Sequence, residues 1–342
     1  MKWRETTIET SDGQQKAIAP EVISASRSTD IPAYYSKWFM HRLRQGYVKW
    51  LNPFNQRPQY VSFSNAKVIV FWSKNPRPLM KHLQELEDRR LSYYFQFTLN
   101  DYEAEKLEPG VPALPDRIQT FKDLSKQIGK ERVIWRFDPL ILANGMTVEA
   151  LLNKIKQVGD QIAPYTEKLV FSFADIGTYR KVINNLNRVG ITYSDFTQET
   201  MLTASESIGE MCKKWGIAAS TCAESLCLTQ FGIEPNKCID DQLILRIAKD
   251  RVDLKRLYGI DLSTQADLFA PTLKSKQCIK DPGQREECGC VFSKDIGQYN
   301  TCPHLCVYCY ANTSESIVNR NVTACSQAGE TILETSSDRM PL

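Results

Sequence analysis

Residues Cys302-Pro303-His304-Leu305-Cys306-Val307-Tyr308-Cys309, followed by Tyr310, place three cysteines in a C-x3-C-x2-C spacing with an aromatic just before the third. Three thiolates on one compact loop can each bind a different iron of a cubane cluster. The fourth iron is then left without a protein ligand, and an open coordination site is what catalysis at a cluster needs. A structural zinc takes four protein ligands, usually from two C-x2-C-like pairs, so three closely spaced cysteines suit it less well. His304 lies inside the loop and could complete a zinc set, which keeps zinc as the alternative on these residues.

The chain has 11 cysteines in all, an odd number crowded toward the C-terminus. Its first residues, Met1-Lys2-Trp3-Arg4-Glu5-Thr6, lack the apolar core of a signal peptide. A cytoplasmic location is therefore expected, and in that reducing compartment such cysteines read as metal or iron–sulfur ligands, not disulfides. Cys288-Gly289-Cys290 is a C-x-C pair, preceded by Cys278, Cys238, Cys227, Cys222 and Cys212. A set of Cys222, Cys238, Cys288 and Cys290 would make a four-thiolate site for an auxiliary iron–sulfur cluster, with zinc at the same ligands as the runner-up. Cys227 and Cys278 could exchange into that set. Cys212, beside Met211 and Trp215 on a helical pattern, reads as a small core residue, and Cys325 as a free tail thiol.

Elements of two kinds must position these residues. Short apolar runs at 21–26, 47–51, 67–72, 92–99, 132–137, 168–173 and 217–222 read as strands buried on both faces. Helical patterns lie between most of them, at 33–45, 76–89, 115–128, 148–162, 178–189 and 196–215. Alternating strand and helix over this length predicts a parallel α/β architecture, a full or partial (β/α) barrel. No Gly-rich phosphate turn follows the first strand, where Ser24-Ala25-Ser26-Arg27-Ser28-Thr29-Asp30 stands, so a dinucleotide-binding sheet loses its main support. Thr7–Thr10 and Ala17–Ala19 around Ser11-Asp12-Gly13 read as an N-terminal hairpin. One domain is expected: a barrel with its hairpin over 1–293, a cluster loop and closing helix over 294–325, and a flexible polar tail over 326–342.

In parallel barrels chemistry gathers where strands end. Polar residues collect there: Ser26, Arg27, Thr29 and Asp30 after the first strand, then Ser73, Lys74 and Asn75. Gln96, Thr98 and Asn100 follow, then Arg136 and Asp138, Ser172 and Asp175, and finally Thr221, Cys222 and Glu224. Taken together they outline a polar cavity for a charged, hydrogen-bonding cofactor or substrate.

Other classes have less to stand on. Of 342 residues only His41, His82 and His304 are histidines, too few for a His-rich hydrolase centre. No stretch of roughly 18 apolar residues exists, so no membrane partner is expected. Net charge is +3, small for a dedicated nucleic-acid surface. Arg42, Arg44, Lys49, Arg57 and Lys67 nevertheless alternate with Tyr47, Trp50 and Phe54. A zinc-stabilised module binding nucleic acid or protein is therefore the competing function.

The cysteine spacing, with the aromatic at the third cysteine, resembles the radical S-adenosylmethionine (SAM) enzymes, and the wording Cys-x-Tyr-Cys-Tyr is most similar to their spore photoproduct lyase branch. Ser24–Asp30 resembles that branch's Ser/Asp-bearing strand end, and Val68-Ile69-Val70-Phe71-Trp72-Ser73-Lys74-Asn75 its strand ending in lysine. The chain as a whole resembles an uncharacterised family carrying a radical-SAM-type cysteine cluster at its C-terminal end. This likeness implies a 4Fe–4S cluster on Cys302, Cys306 and Cys309 that binds SAM at its unique iron. It also implies reductive cleavage of SAM to methionine and a 5′-deoxyadenosyl radical, acting on an unknown substrate. A reductant protein such as flavodoxin or ferredoxin would supply the electron. The superfamily places this loop near the N-terminus, so the resemblance implies a circularly permuted core. In it Cys290-Val291-Phe292-Ser293 supplies a strand, 294–309 the cluster loop and 310–324 a helix. The first strand's end would then lie beside the cluster, with Asp30 for the SAM amine, Ser26 and Thr29 as hydroxyl partners, and Lys74 or Arg136 for the carboxylate.

Overall fold

The computed structural model describes residues 3–248, 251–258, 280–281, 284 and 287–333. In chain order its strands are β1 (Glu5–Thr10), β2 (Gly13–Ile18), β3 (Val22–Ala25), β4 (Tyr47–Leu51), β5 (Pro58–Ser62), β6 (Val68–Ser73) and β7 (Ser92–Thr98). They continue with β8 (Val133–Leu140), β9 (Leu142–Ala143), β10 (Lys168–Phe173), β11 (Tyr193–Ser194), β12 (Ala218–Thr221), β13 (Ile233–Pro235) and β14 (Lys294–Asp295). The helices are α1 (Ile31–Tyr34), α2 (Ser36–Gln45), α3 (Arg77–Met80), α4 (Leu83–Asp88), α5 (Leu114–Ile128) and α6 (Val148–Ile162). After them come α7 (Arg180–Arg188), α8 (Gln198–Trp215), α9 (Asp241–Ile247), α10 (Val252–Leu257) and α11 (Glu315–Ala324). None of these helices is long and apolar enough to cross a membrane.

Eight strands form one parallel sheet in the order β13-β12-β10-β8-β7-β6-β3-β14. Among the described residues β13 and β14 are its edges, and it does not close on itself. The strand-and-helix alternation thus yields a mixed α/β fold around a large parallel sheet. One expected strand lies elsewhere: β4 joins a separate sheet in the order β1-β2-β5-β4, pairing antiparallel with β5. The reason is connection length. α2 ends at Gly46, whose φ of 89° turns the chain straight into β4. Only residues 52–57 join β4 to β5, far short of a parallel crossover. The parallel sheet therefore steps from β3 directly to β6.

Alternation along each strand divides the core. Ile23, Phe71, Phe95, Trp135 and Phe171 point to one face, where Phe121, Leu124, Ile155, Val158 and Ile208 of α5, α6 and α8 cover them. Val22, Val68, Val70, Tyr94, Ile134 and Val170 point to the other face. There they meet Ile239, Leu243 and Ile244, together with Cys238, Cys288, Cys290 and Val291. So the second face is filled near the strand beginnings by 238–248 and 288–291, while the polar strand ends stand above that filling.

The C-terminal region differs from expectation in two places. The strand expected at Cys290–Ser293 forms at Lys294–Asp295, because Val291 is drawn toward the filling, its N–H donating to Ile239 O at 3.1 Å. The first part of the tail is docked. Trp38 Nε1 donates to Gly329 O at 2.9 Å, Lys49 N to Glu330 O at 2.8 Å, and Ile332 is buried. Residues 334–342 lie outside the described residues.

Candidate functional site

β14 brings the cysteine loop to the strand ends by pairing parallel with β3, Lys294 against Ile23 and Asp295 against Ser24. Asp295 fastens the junction. It accepts from Ser24 Oγ at 2.5 Å, Ser26 Oγ at 2.7 Å, Arg27 N at 2.8 Å and Gly297 N at 2.9 Å. Beyond it, Asn300 N donates to Ala311 O at 3.0 Å and Asn312 Nδ2 to Cys302 O at 2.9 Å, so 300–312 is closed at its base. Inside, Leu305 N–H turns back to Cys302 O at 3.4 Å and Cys309 N–H to Cys306 O at 3.0 Å.

The three thiols Cys302, Cys306 and Cys309 are close enough for their charges to act on one another. Burial pushes Cys302 up to about 12, and Cys306 and Cys309 are raised as well, Cys306 the more strongly. A thiol in this state needs a metal's positive charge to shed its proton.

Asp30 is the hub on which the loop rests. Its Oδ1 accepts from Ala33 N at 2.9 Å and Ser73 Oγ at 2.8 Å; its Oδ2 accepts from Lys74 N at 2.7 Å and His304 Nε2 at 2.7 Å. All four acceptor directions of this buried carboxylate are thus used inside the protein. Within the protein Asp30 caps α1 and holds the cysteine loop through His304. His304 has its other ring nitrogen within 3.1 Å of Tyr34 Oη and 3.2 Å of Gly110 O. Both ring nitrogens of His304 are thus engaged by protein partners.

A second anchor lies between the last two cysteines. Lys74 Nζ is 2.7 Å from Glu108 Oε1 and donates to Tyr308 Oη at 3.0 Å. Tyr308 Oη also donates to Glu108 in a short hydrogen bond, and Asn100 Nδ2 donates to the same carboxylate at 2.9 Å. Burial would push Glu108 up, but Lys74, Arg117 and the hydrogen bonds from Lys74 and Tyr308 outweigh it and hold the carboxyl down at about 2. Lys74 is raised; burial opposes this, and the neighbouring Glu108 charge prevails.

The segment after β7 completes the cradle. Val307 N donates to Leu107 O at 2.9 Å and Gly110 N to His304 O at 2.9 Å. A β-carbon at Gly110 would stand 2.1 Å from Pro303 O and 2.9 Å from His304 Cα, both backbone atoms that cannot swing aside. Gly110→Ala should therefore lift the loop and lower stability by about 1–3 kcal/mol, as overpacking does. Denaturant unfolding checks this, and an unchanged midpoint would mean that the loop does not press on Gly110.

Of the five residues expected around SAM, Asp30 and Lys74 are at the cysteine loop, and Ser26 is tied to Asp295. Thr29 is buried, and its hydroxyl has no hydrogen-bond partner among the described residues. Arg136 lies elsewhere. Its Nη2 pairs with Asp138 at 2.5 Å, while Nη1 donates to Gln96 Oε1 at 3.2 Å and to Cys238 Sγ at 3.1 Å. It faces the other cysteine group.

That group is a cluster of thiols. Cys222 Sγ is 3.4 Å from Cys238 Sγ, and Cys238, Cys288 and Cys290 are buried in one cluster with Cys222 packed against it. Asn236 Nδ2 donates to Cys238 Sγ at 3.4 Å and Ile239 N to Cys290 Sγ at 3.4 Å. Cys227 is exposed, with its thiol against Thr229. Cys212, on α8, is buried in the core, and Cys278 lies outside the described residues. Among the described residues no group of three or more His, Cys, Asp or Glu side chains is arranged to hold a metal ion. The partners that sequence reasoning missed, Tyr34, Glu108, Gly110 and Asp295, carry no motif. Glu108 and Gly110 lie in an irregular segment without periodicity.

The fold and the site together define an α/β protein whose C-terminal cysteine loop is docked on the ends of a parallel sheet. The chain belongs to the family described as Domain of unknown function (DUF1848), which matches residues 22–311 and so spans both cysteine groups. Comparison with curated proteins finds no match. A solved structure of a provisionally named alpha-L-fucosidase from Bacteroides thetaiotaomicron VPI-5482 is similar at 12% identity with a TM-score of 0.27, over 75% of this chain and 84% of that chain.

Proposed function

We propose that this chain is a radical SAM enzyme built on a circularly permuted partial barrel. The observation that carries the reading is the docking of the C-x3-C-x2-C loop beside the end of β3 through β14, although 271 residues separate the paired Ser24 and Asp295 in sequence. A C-terminal strand paired with the first strand of the parallel sheet is what a permuted first β–loop–α unit requires. With His304 held by Asp30 and Tyr34, the loop offers three protein ligands and no fourth, the donor set of a 4Fe–4S cluster with one open iron. Such a cluster supplies the electron that cleaves SAM to methionine and a 5′-deoxyadenosyl radical. The chain's own residues do the positioning: Asp30 fixes the loop through His304, and Lys74 and Glu108 fix it through Tyr308. Thr29, whose buried hydroxyl has no hydrogen-bond partner among the described residues, is a hydrogen-bonding candidate for SAM at this end of β3. Flavodoxin or ferredoxin fits as the electron donor.

The test is anaerobic reconstitution with iron and sulfide, followed by SAM and a low-potential reductant. Wild-type protein should be brown and form 5′-deoxyadenosine. Replacing Cys302, Cys306 and Cys309 together by alanine should abolish that product and remove about one cluster's worth of iron. Colourless protein that carries zinc at this loop and leaves SAM intact would sink the proposal and favour the zinc-stabilised module.

A further inference from the structure

We infer that Cys222, Cys238, Cys288 and Cys290 form a second metal centre, a four-thiolate site separate from the C-terminal loop. The inference does not depend on the proposed chemistry of that loop. These cysteines come from two distant parts of the chain. Cys222 follows β12 and Cys238 follows β13, whereas Cys288 and Cys290 precede β14. The fold nevertheless brings Cys222 and Cys238 to 3.4 Å and packs Cys238, Cys288 and Cys290 into one buried cluster, the side chains as they stand not yet converging on one metal position. Cys238, Cys288 and Cys290 are buried, against Val22, Val68, Val70, Tyr94, Ile134 and Val170. Four thiolates are the complete ligand set of a closed structural zinc site or of a cubane cluster without an open iron.

The surroundings are those of a thiolate metal centre and are not needed by a simple apolar core. Sulfur ligands of a metal are held and tuned by N–H donors. Here Arg136 Nη1 at 3.1 Å, Asn236 Nδ2 at 3.4 Å and Ile239 N at 3.4 Å all point at sulfur. Buried negative charge also needs nearby positive charge. Two guanidiniums supply it: Arg136, buried beside Cys238, and Arg27, whose charge acts on Cys290 and Cys238. Arg27 stacks over the Trp72 ring at 4.7 Å, and its buried Nη2 has no hydrogen-bond partner among the described residues. A buried guanidinium nitrogen without an acceptor calls for an explanation. An anionic metal–thiolate centre at Cys238 and Cys290 gives it one. When a divalent metal enters, each coordinating thiol would release its proton to solvent and its sulfur would turn onto the metal.

The experiment uses the full chain carrying Cys302→Ala, Cys306→Ala and Cys309→Ala, so that any remaining metal reports on this site alone. Purified anaerobically, it should retain either about one cluster of iron with matching sulfide or about one zinc per chain; both support the centre and distinguish its two forms. After chelation, Co2+ alone should bind to about one equivalent with the visible bands of tetrahedral thiolate coordination. Adding Cys222→Ala, at the half-buried edge of the cluster, should abolish those bands while circular dichroism shows the fold retained. If the added substitution unfolds the protein, the Co2+ titration of the parent variant still decides. A parent variant that is metal-free as purified and gives no thiolate bands with Co2+ overturns the inference. A disulfide between Cys222 and Cys238 in the anaerobic protein would do so as well. Failure of the SAM reaction in reconstituted wild-type protein that carries this metal would count against the proposed function only.

Discussion

Asp30→Ala is expected to destabilise the protein by about 3–5 kcal/mol, because it strands several buried donors at once. Ser73 Oγ, Lys74 N, Ala33 N and His304 Nε2 all give their hydrogen bonds to this one carboxylate. Each buried donor left unpaired costs about 1–3 kcal/mol before the site relaxes. The informative comparison is Asp30→Asn. A carboxylate that only caps α1 is replaced by Asn at little cost, since the amide oxygen still accepts from Ala33 N. In this structure the second oxygen also accepts, from Lys74 N and His304 Nε2, and an amide NH2 there would face two donors. Asp30→Asn should therefore cost about 1–3 kcal/mol and, on the proposed cluster, lower the iron that the cysteine loop retains. Urea unfolding and iron analysis on the same preparations check both quantities. An Asn variant with wild-type stability and iron would reduce Asp30 to a helix cap.

Glu108→Gln should cost about 3–5 kcal/mol by leaving the Lys74 and Arg117 cations without their shared anion. Glu108 is 3% exposed and Arg117 1%, so water does little to replace the lost charge. The same carboxylate makes a signed pH prediction. Its folded value, about 2, lies below the unfolded glutamate value of about 4.3. A depressed acid stabilises the fold when ionised, so its contribution is complete above about pH 4.3 and is lost as pH falls toward the folded value. The size is about 3 kcal/mol. Stability measured from pH 6 down to pH 2.5 should fall less steeply in Glu108→Gln than in wild type. Parallel slopes would mean that Glu108 carries no such charge. Because Tyr308 shares this network, the variant should also loosen the turn between Cys306 and Cys309.

How much of this was written in the sequence follows from the range of each interaction. Alternating apolar strands and amphipathic helices repeat within a few residues, so the parallel α/β architecture and most strand positions were legible from spacing. The C-x3-C-x2-C loop was legible for the same reason. Its three cysteines lie within eight residues, and chain connectivity alone keeps them together. The four cysteines at 222, 238, 288 and 290 were legible only as a surplus. Their meeting required β12, β13 and the segment before β14 to converge on one face of the sheet. Tertiary structure alone decided the rest. β4 reads like its neighbours, but a six-residue link to β5 sent it to another sheet. β13, three residues ending in Pro235, carries no periodic signal and exists because β12 offers it an edge. Asp30 and Arg136 were named as cofactor contacts from the permuted-family resemblance, and the protein partners the fold gives them lie far away in sequence. Asp30 holds His304, 274 residues away, and Arg136 holds Cys238, 102 residues away. Hydrogen bonds between such distant residues leave no spacing in the sequence. They follow from which strand ends the parallel order places side by side, so the site's residue types were determined locally and their partners only by the fold.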